Sequence, residues 1–233
     1  AGMQISNRLN AQIRGYSVAI RNANDGISML QTAEGAMNEV SNILIRMREL
    51  ATQSASDTVS DVEREFTNRE YGELISEIDR ISNVTEFTGT KLLRMEDPFE
   101  IHVGRGDGTV DNTDRITIDP AQMQTSSDGL GVSSSEITSR DGAAEQLTTL
   151  DDAIEKVASN RASIGAKQNR INSAIRTLEV SIENQSAANS RIRDVDYASE
   201  TAEYTKQNIL KQGGASVLAQ SNQLPEMALG LLR

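Results

Sequence analysis

Residues 147–192, LTTLDDAIEKVASNRASIGAKQNRINSAIRTLEVSIENQSAANSRI, decide the fold. Within them Leu147, Leu150, Ile154, Val157, Arg161, Ile164, Gln168, Ile171, Ile175, Leu178, Ile182, Gln185, Asn189 and Ile192 follow one another in alternating steps of three and four. That spacing places every one of them on a single stripe of a helix, the seam of a coiled coil. Arg161, Gln168, Gln185 and Asn189 are polar seam residues, a kind that weakens a seam while specifying its register. Between Glu145 and Ile192 there is no proline and only Gly165. The stretch therefore reads as one helix of about 70 Å.

Working outward, the first 55 residues repeat the pattern in two pieces. Leu9, Ile13, Tyr16, Ile20, Ala23, Ile27 and Leu30 form one three-four series; Ala33, Met37, Val40, Leu44, Met47, Ala51 and Ser54 form another. The step from Leu30 to Ala33 repeats a three, which overwinds a coiled coil locally. A long helix with a local irregularity is expected, ending in the polar cluster Ser54-Ala55-Ser56-Asp57, which also offers N-caps to a successor. That second helix is expected from Ser60 to Ser82, with Phe66, Leu74, Ile78 and Ile81 facing inward.

From Phe87 to Arg140 the chain changes character and carries most of its turn signals, among them Thr88-Gly89, Asp97-Pro98, Gly104, Gly106, Asp107-Gly108, Asp119-Pro120 and Asp128-Gly129. The alternating runs Phe99–Val103 and Arg115–Ile118 between them read as hairpin strands joined by a glycine-rich loop. Past Asp194, Leu210, Gly214, Val217, Ser221, Leu224, Ala228 and Leu231 form a stripe of small and apolar residues without an evident partner in the chain. Pro225 is expected to break or kink it. An amphipathic helix without a partner seldom folds alone, so this tail should dock on another molecule or be disordered. The fold class is thus mainly α: an elongated antiparallel rod, a coiled-coil-like bundle of long helices with a small β-hairpin insert.

Composition agrees. The 233 residues contain three Phe, four Tyr and no Trp, too few aromatics for the wide core of a typical enzyme. Thirty-four acids against 23 Lys and Arg give a net charge of −11, the wrong sign for a nucleic-acid footprint or an anionic membrane surface. Zero cysteine excludes disulfides, thiol catalysis and thiolate metal sites. No run approaches the ~18 apolar residues that span a bilayer. The start, Ala1-Gly2-Met3-Gln4-Ile5, shows no cleavable signal, so export would need a route that uses none.

Catalytic constellations are missing. His102 is the sole imidazole, which excludes multi-His metal sites; it reads as a strand-edge residue facing solvent. Gly104-Arg105-Gly106-Asp107-Gly108 lacks the Lys-Ser/Thr and the helix of a phosphate loop. Asp107, Asp111 and Asp114 miss the spacing of an EF-hand. Arg105-Gly106-Asp107 spells an adhesion tripeptide in a turn-rich loop, where short matches arise by coincidence. Asn83-Val84-Thr85 and Asn184-Gln185-Ser186 fit the glycan sequon only weakly. Asp151-Asp152 reads as a helix-start pair favouring the dipole. No enzyme, metal or cofactor is expected.

Several strings resemble one family. Ser6-Asn7-Arg8-Leu9, Arg21–Ser28 (RNANDGIS), Gln31–Ala36 (QTAEGA) and Arg46–Ala51 (RMRELA) are similar to the N-terminal segment of bacterial flagellin, as are Glu77–Ile81 and Phe87–Leu93. Gly165–Arg170, Arg193–Ala198 and Ala219–Pro225 (AQSNQLP) resemble its C-terminal segment, in the family's order. The resemblance implies a subunit of the flagellar filament, the helical propeller of motility, exported unfolded by the flagellar apparatus. Residues 1–93 and 141–193 then resemble the family's D1 rod, 94–140 a small β insert within it, and 194–233 the C-terminal half of D0, which lines the filament core. An N-terminal D0 segment is expected ahead of Ala1, and a chain without it should not polymerise normally. The variable outer domains shrink here to the β insert.

The implied partners are identical subunits, a flagellin-specific secretion chaperone, the export apparatus, and the cap and junction proteins. For some members they include the flagellin-sensing Toll-like receptor. The resemblance assigns an intersubunit and receptor-type face to Arg46, Glu49, Leu50, Gln53 and Glu70. It assigns a filament-core and chaperone-binding tail to Leu210, Val217, Leu224 and Leu231. The implied location is the extracellular flagellum, with external, sheathed and periplasmic filaments all open. A hook–filament junction protein shares the helical ends, though Gln220–Pro225 is closer to flagellin. An adhesion ligand acting through Arg105-Gly106-Asp107 is the alternative from another class.

Overall fold

A computed structural model describes the backbone of residues 2–104, 114–194 and 197–230, and the side chains of 2–104, 114–194 and 199–221. The element order is α1 (Gly2–Ser54), α2 (Asp61–Val84), β1 (Glu86–Phe87), β2 (Thr90–Lys91), β3 (Phe99–His102), β4 (Arg115–Ile118), a 3-10 turn (Pro120–Gln122), α3 (Ser127–Leu130), α4 (Arg140–Arg193) and α5 (Tyr197–Gly230). The chain divides into two compact units, residues 11–184 and residues 1–10 with 185–233.

The larger unit is built on the two seams. In α1, Ala23, Leu30, Ala33, Met37, Val40, Leu44, Met47, Ala51 and Ser54 are buried; in α4, so are Leu150, Val157, Ile164, Ile171 and Leu178. The two helices run antiparallel: Arg48 Nε reaches Asp151 Oδ1 at 2.6 Å, and Gln168 Nε2 donates to Glu34 Oε2 at 3.2 Å. The half-buried layer of Glu34, Gln168 and Arg161, whose guanidinium lies 4.0 Å from Glu34, interrupts the apolar seam. Asp151 stands well inside α4, which begins at Arg140, so it serves as the partner of Arg48 instead of a helix-start charge.

α1 is α-helical throughout, without the expected irregularity at Leu30–Ala33. The extra step of three instead widens the buried stripe, because Met29 is buried beside Leu30. A second partner lies there: a Cβ at Gly26 would meet Ile101 of β3, with Cγ1 at 3.1 Å and Cγ2 at 3.2 Å. The seam changes phase where the β layer packs on the helix.

α2 starts in a capping box. The Ser60 amide donates to Glu63 Oε2 at 2.8 Å and the Glu63 amide donates to Ser60 Oγ at 3.4 Å. Its buried side chains are Arg64, Tyr71, Ile78 and Ser82, with Leu74 and Ile81 packed against the core. Phe66 departs from the sequence reading: it is 60% exposed, on the side opposite that stripe. Phe66 stands two positions after Arg64, about 200° around the helix. Arg64 occupies the inward position because it closes the end of α1. Its Nε and Nη2 donate to the carbonyls of Ser54 and Ser56, both at 2.8 Å, and Nη1 to Asp61 Oδ1 at 2.6 Å.

Two antiparallel hairpins follow α2, the second of them within the insert. β3 and β4 pair Phe99 with Ile118 and His102 with Arg115, as the alternation of the two runs predicts. β1 and β2 pair around Thr88 and Gly89, whose φ values of +49° and +83° are those of a type I′ turn. The segment after β4 is no plain loop: Met123, Thr125, Ser126, Ser127, Leu130, Val132 and Ile137 are all buried. Ser82 Oγ donates to the Thr125 carbonyl, and Asp79 accepts from both the amide and the hydroxyl of Ser127, tying this segment to α2.

In the smaller unit, the start of α1 and the end of α4 again pair antiparallel. Ser6 Oγ donates to Asn189 Oδ1 at 2.6 Å, and Asn189 Nδ2 to Asn10 Oδ1 at 3.4 Å. α5 runs on through Pro225 to Gly230, against the expected break. Proline's fixed φ suits a helix, so its cost is one hydrogen bond and crowding of the preceding turn.

Candidate assembly surface

The face predicted at the end of α1 is built by the return of α2. Arg46 Nε and Nη2 donate to Glu70 Oε1 at 2.9 and 2.8 Å, and Nη1 to Glu49 Oε2 at 2.9 Å. The hydrogen bonds it donates to Glu49 and then Glu70 hold the Arg46 guanidinium further above its already high ordinary value. Gln53 is exposed on the same flank. All four are solvated, so this network contributes shape and charge pattern more than stability.

Contrary to the expectation from its spacing, Leu50 does not belong to that exposed face: it is 2% exposed and a member of the core. The reason is geometric. On the helix, Leu50 stands between Arg46, bound to Glu70 of α2, and Ser54, hydrogen-bonded to Thr67 of α2 at 2.8 Å. α2 therefore covers the strip where Leu50 points. The spacing rule for a shared face holds for α1 alone and cannot register a second helix lying on its edge.

The tail surface is open. Every described side chain of α5, residues 199–221, is exposed, including Ile209, Leu210, Val217 and Leu218 at 60–67%. The side chain of Leu224, and Leu231 altogether, lie outside the described residues, as do Arg105, Asp107 and Asp111. His102 is half-buried on β3 instead of facing solvent. Among the described residues no three His, Asp or Glu gather as metal ligands, and no helix is long and apolar enough to cross a membrane.

Comparison with known proteins places this architecture. The bacterial flagellin N-terminal helical region matches residues 1–96, and the flagellin C-terminal helical region matches residues 147–232. The chain is 41% identical over 234 residues to a flagellin of Halalkalibacterium halodurans, covering 100% of this chain and 84% of that protein. It is 38% identical to the flagellin of Bacillus subtilis, covering 100% and 86%. The crystal structure of Bacillus cereus flagellin superimposes with a TM-score of 0.57 at 30% identity, over 68% of this chain and 88% of that one. With paired antiparallel helices, a β insert between them and both terminal regions matched, the chain belongs to the bacterial flagellin family.

Proposed function

We infer that the protein is a structural subunit of a bacterial flagellar filament, working by mechanical assembly and not by catalysis. The observation that carries this reading is α5, a 34-residue helix whose described apolar side chains all face solvent. Exposed apolar surface of this extent marks an interaction site. In a filament it meets the same helix of other copies, through the repeated, non-closing contacts that make helical polymers.

On this reading residues 1–93 and 141–193 act as the D1-like rod, 94–140 as its insert and 194–233 as the D0-like core element. Arg46, Glu49, Gln53 and Glu70 form a charged contact between subunits, which the flagellin-sensing Toll-like receptor can use on free subunits. Before assembly, Leu210, Val217, Leu224 and Leu231 are held by a secretion chaperone while the chain awaits unfolded export. The flagellin relatives do not favour the hook–filament junction or adhesion alternatives.

The test is electron microscopy of filaments sheared from cells in which the full-length protein carrying this chain is the sole flagellin. Filaments are expected with the native chain and none after removal of residues 199–233. Normal filaments from the truncated chain would overturn the role of α5, and a native chain absent from the filament fraction would overturn the subunit reading.

A further inference from the structure

α2 carries an aromatic knob. Val62, Phe66, Arg69 and Glu73 form its outward stripe, opposite the buried Arg64, Tyr71 and Ile78. Val62 and Phe66 are more than half exposed, and the Arg69 guanidinium carbon lies 5.6 Å from the centre of the Phe66 ring. A cation resting on an exposed ring keeps both groups pre-positioned. Neither belongs to the hydrophobic core.

The same unit also holds a cleft of about 430 Å³ between α1, the tip of the β1–β2 hairpin and β3. Its apolar lining is Met29, Phe87, Phe99 and Ile101, and Asp25 stands in its wall. Glu100, also in the wall, is paired with Arg115 at 2.6 Å, whereas Asp25 makes no ion pair among the described residues. An aromatic-lined cleft with one unpaired carboxylate is complementary to an aromatic side chain accompanied by a guanidinium.

The knob and the cleft cannot meet within one chain. Thr67 is level with Ser54 of α1, and the cleft opens at residues 22–29 of that helix, so they stand about 40 Å apart along it. We propose that the Phe66–Arg69 knob of one subunit inserts into the Asp25–Phe87–Phe99 cleft of a second copy of this chain, with Arg69 pairing with Asp25. The two patches differ, so the contact is head-to-tail and propagates. The proposal rests on the filament-subunit reading and names one contact within it.

The absence of cysteine makes the test direct. Val62→Cys, one turn from Phe66 on the same exposed stripe, is combined with Asn22→Cys on α1, or with Thr88→Cys on the hairpin tip, and sheared filaments are oxidised and run on non-reducing gels. A ladder of covalent multimers is expected with at least one pair, and only monomer with each single cysteine, since bridging needs Cα atoms within about 7 Å. In parallel, Arg69→Asp and Asp25→Arg should each lower the temperature at which filaments depolymerise, and the doubly substituted chain should recover most of the loss. The substituted side chains are exposed, and circular dichroism of the monomers checks that folding is intact. Filaments that form but yield no ladder, with no recovery in the double variant, overturn this contact and leave the subunit reading standing. A native chain that never enters filaments overturns both.

Discussion

Arg64 is the residue whose role departs furthest from its chemical type. A guanidinium in a helical core stripe is costly unless its donors are met, and here Ser54, Ser56 and Asp61 meet them. One of those partners is the carbonyl of Ser54, the last residue of α1, where carbonyls lack intrahelical donors; the Ser56 carbonyl lies just beyond. Arg64→Ala should therefore destabilise the larger unit by about 3 kcal/mol, and Arg64→Lys should recover little, because one ammonium cannot span three acceptors. Urea unfolding followed by circular dichroism checks both. Gly26 is a second decisive position. Gly26→Val would force Ile101 off α1 and should cost about 2 kcal/mol by overpacking, read in the same experiment. Neither role is visible in the chain: the helical spacing puts Phe66 inward, and nothing in it singles out Arg64 or Gly26.

At the scale of elements, the helices were legible almost to their ends. Ser60 and Glu63 mark the start of α2, and the capping box gives that boundary its pH dependence. Hydrogen bonds from the Ser60 amide and hydroxyl hold the Glu63 carboxyl below the usual carboxylate range. Its folded pKa lies below its unfolded one, so the contribution is complete above the unfolded pKa of about 4.3 and is lost as pH falls through the folded value. The thermal midpoint should drop between about pH 5 and pH 3, and by less in Glu63→Gln, which keeps the cap without the titration. The polar layer in the α1–α4 seam makes the opposite kind of prediction. Gln168→Leu should raise the thermal midpoint, since Leu extends the apolar seam and the interaction lost is one 3.2 Å hydrogen bond to a half-exposed Glu34. An unchanged or lower midpoint would remove Gln168 from the seam. The hairpin β1–β2 and the buried segment from Met123 to Ile137 were less legible. Two-residue strands carry no periodicity, and a segment of serines and glycines looks like surface until α2 supplies Asp79 and Ser82 as partners.

For the whole molecule, the core cluster runs from Ala23 to Ile171 and includes no described side chain of α5. Removing residues 199–233 should therefore leave the unfolding midpoint of the larger unit unchanged while abolishing filaments. Scanning calorimetry of the truncated chain beside the native one tests the first half, and a lowered midpoint would show that α5 stabilises the fold. The core of the larger unit is thus complete without the described part of α5.

Seam spacing, capping residues and the density of turn signals determined the helical class, the antiparallel pairing of α1 with α4 and the β3–β4 hairpin from the sequence itself. Each of these depends on contacts that recur every turn or every second residue, so the pattern is written locally. The strings around Arg46, Phe87 and Gln220 likewise carried the family without any structure. The tertiary fold alone decided that Leu50 is covered, that Phe66 is bare, that Arg64 caps another helix and that Gly26 makes room for Ile101. Those outcomes depend on which second element lies against a given strip of helix, and a one-dimensional period describes the strip without naming what covers it.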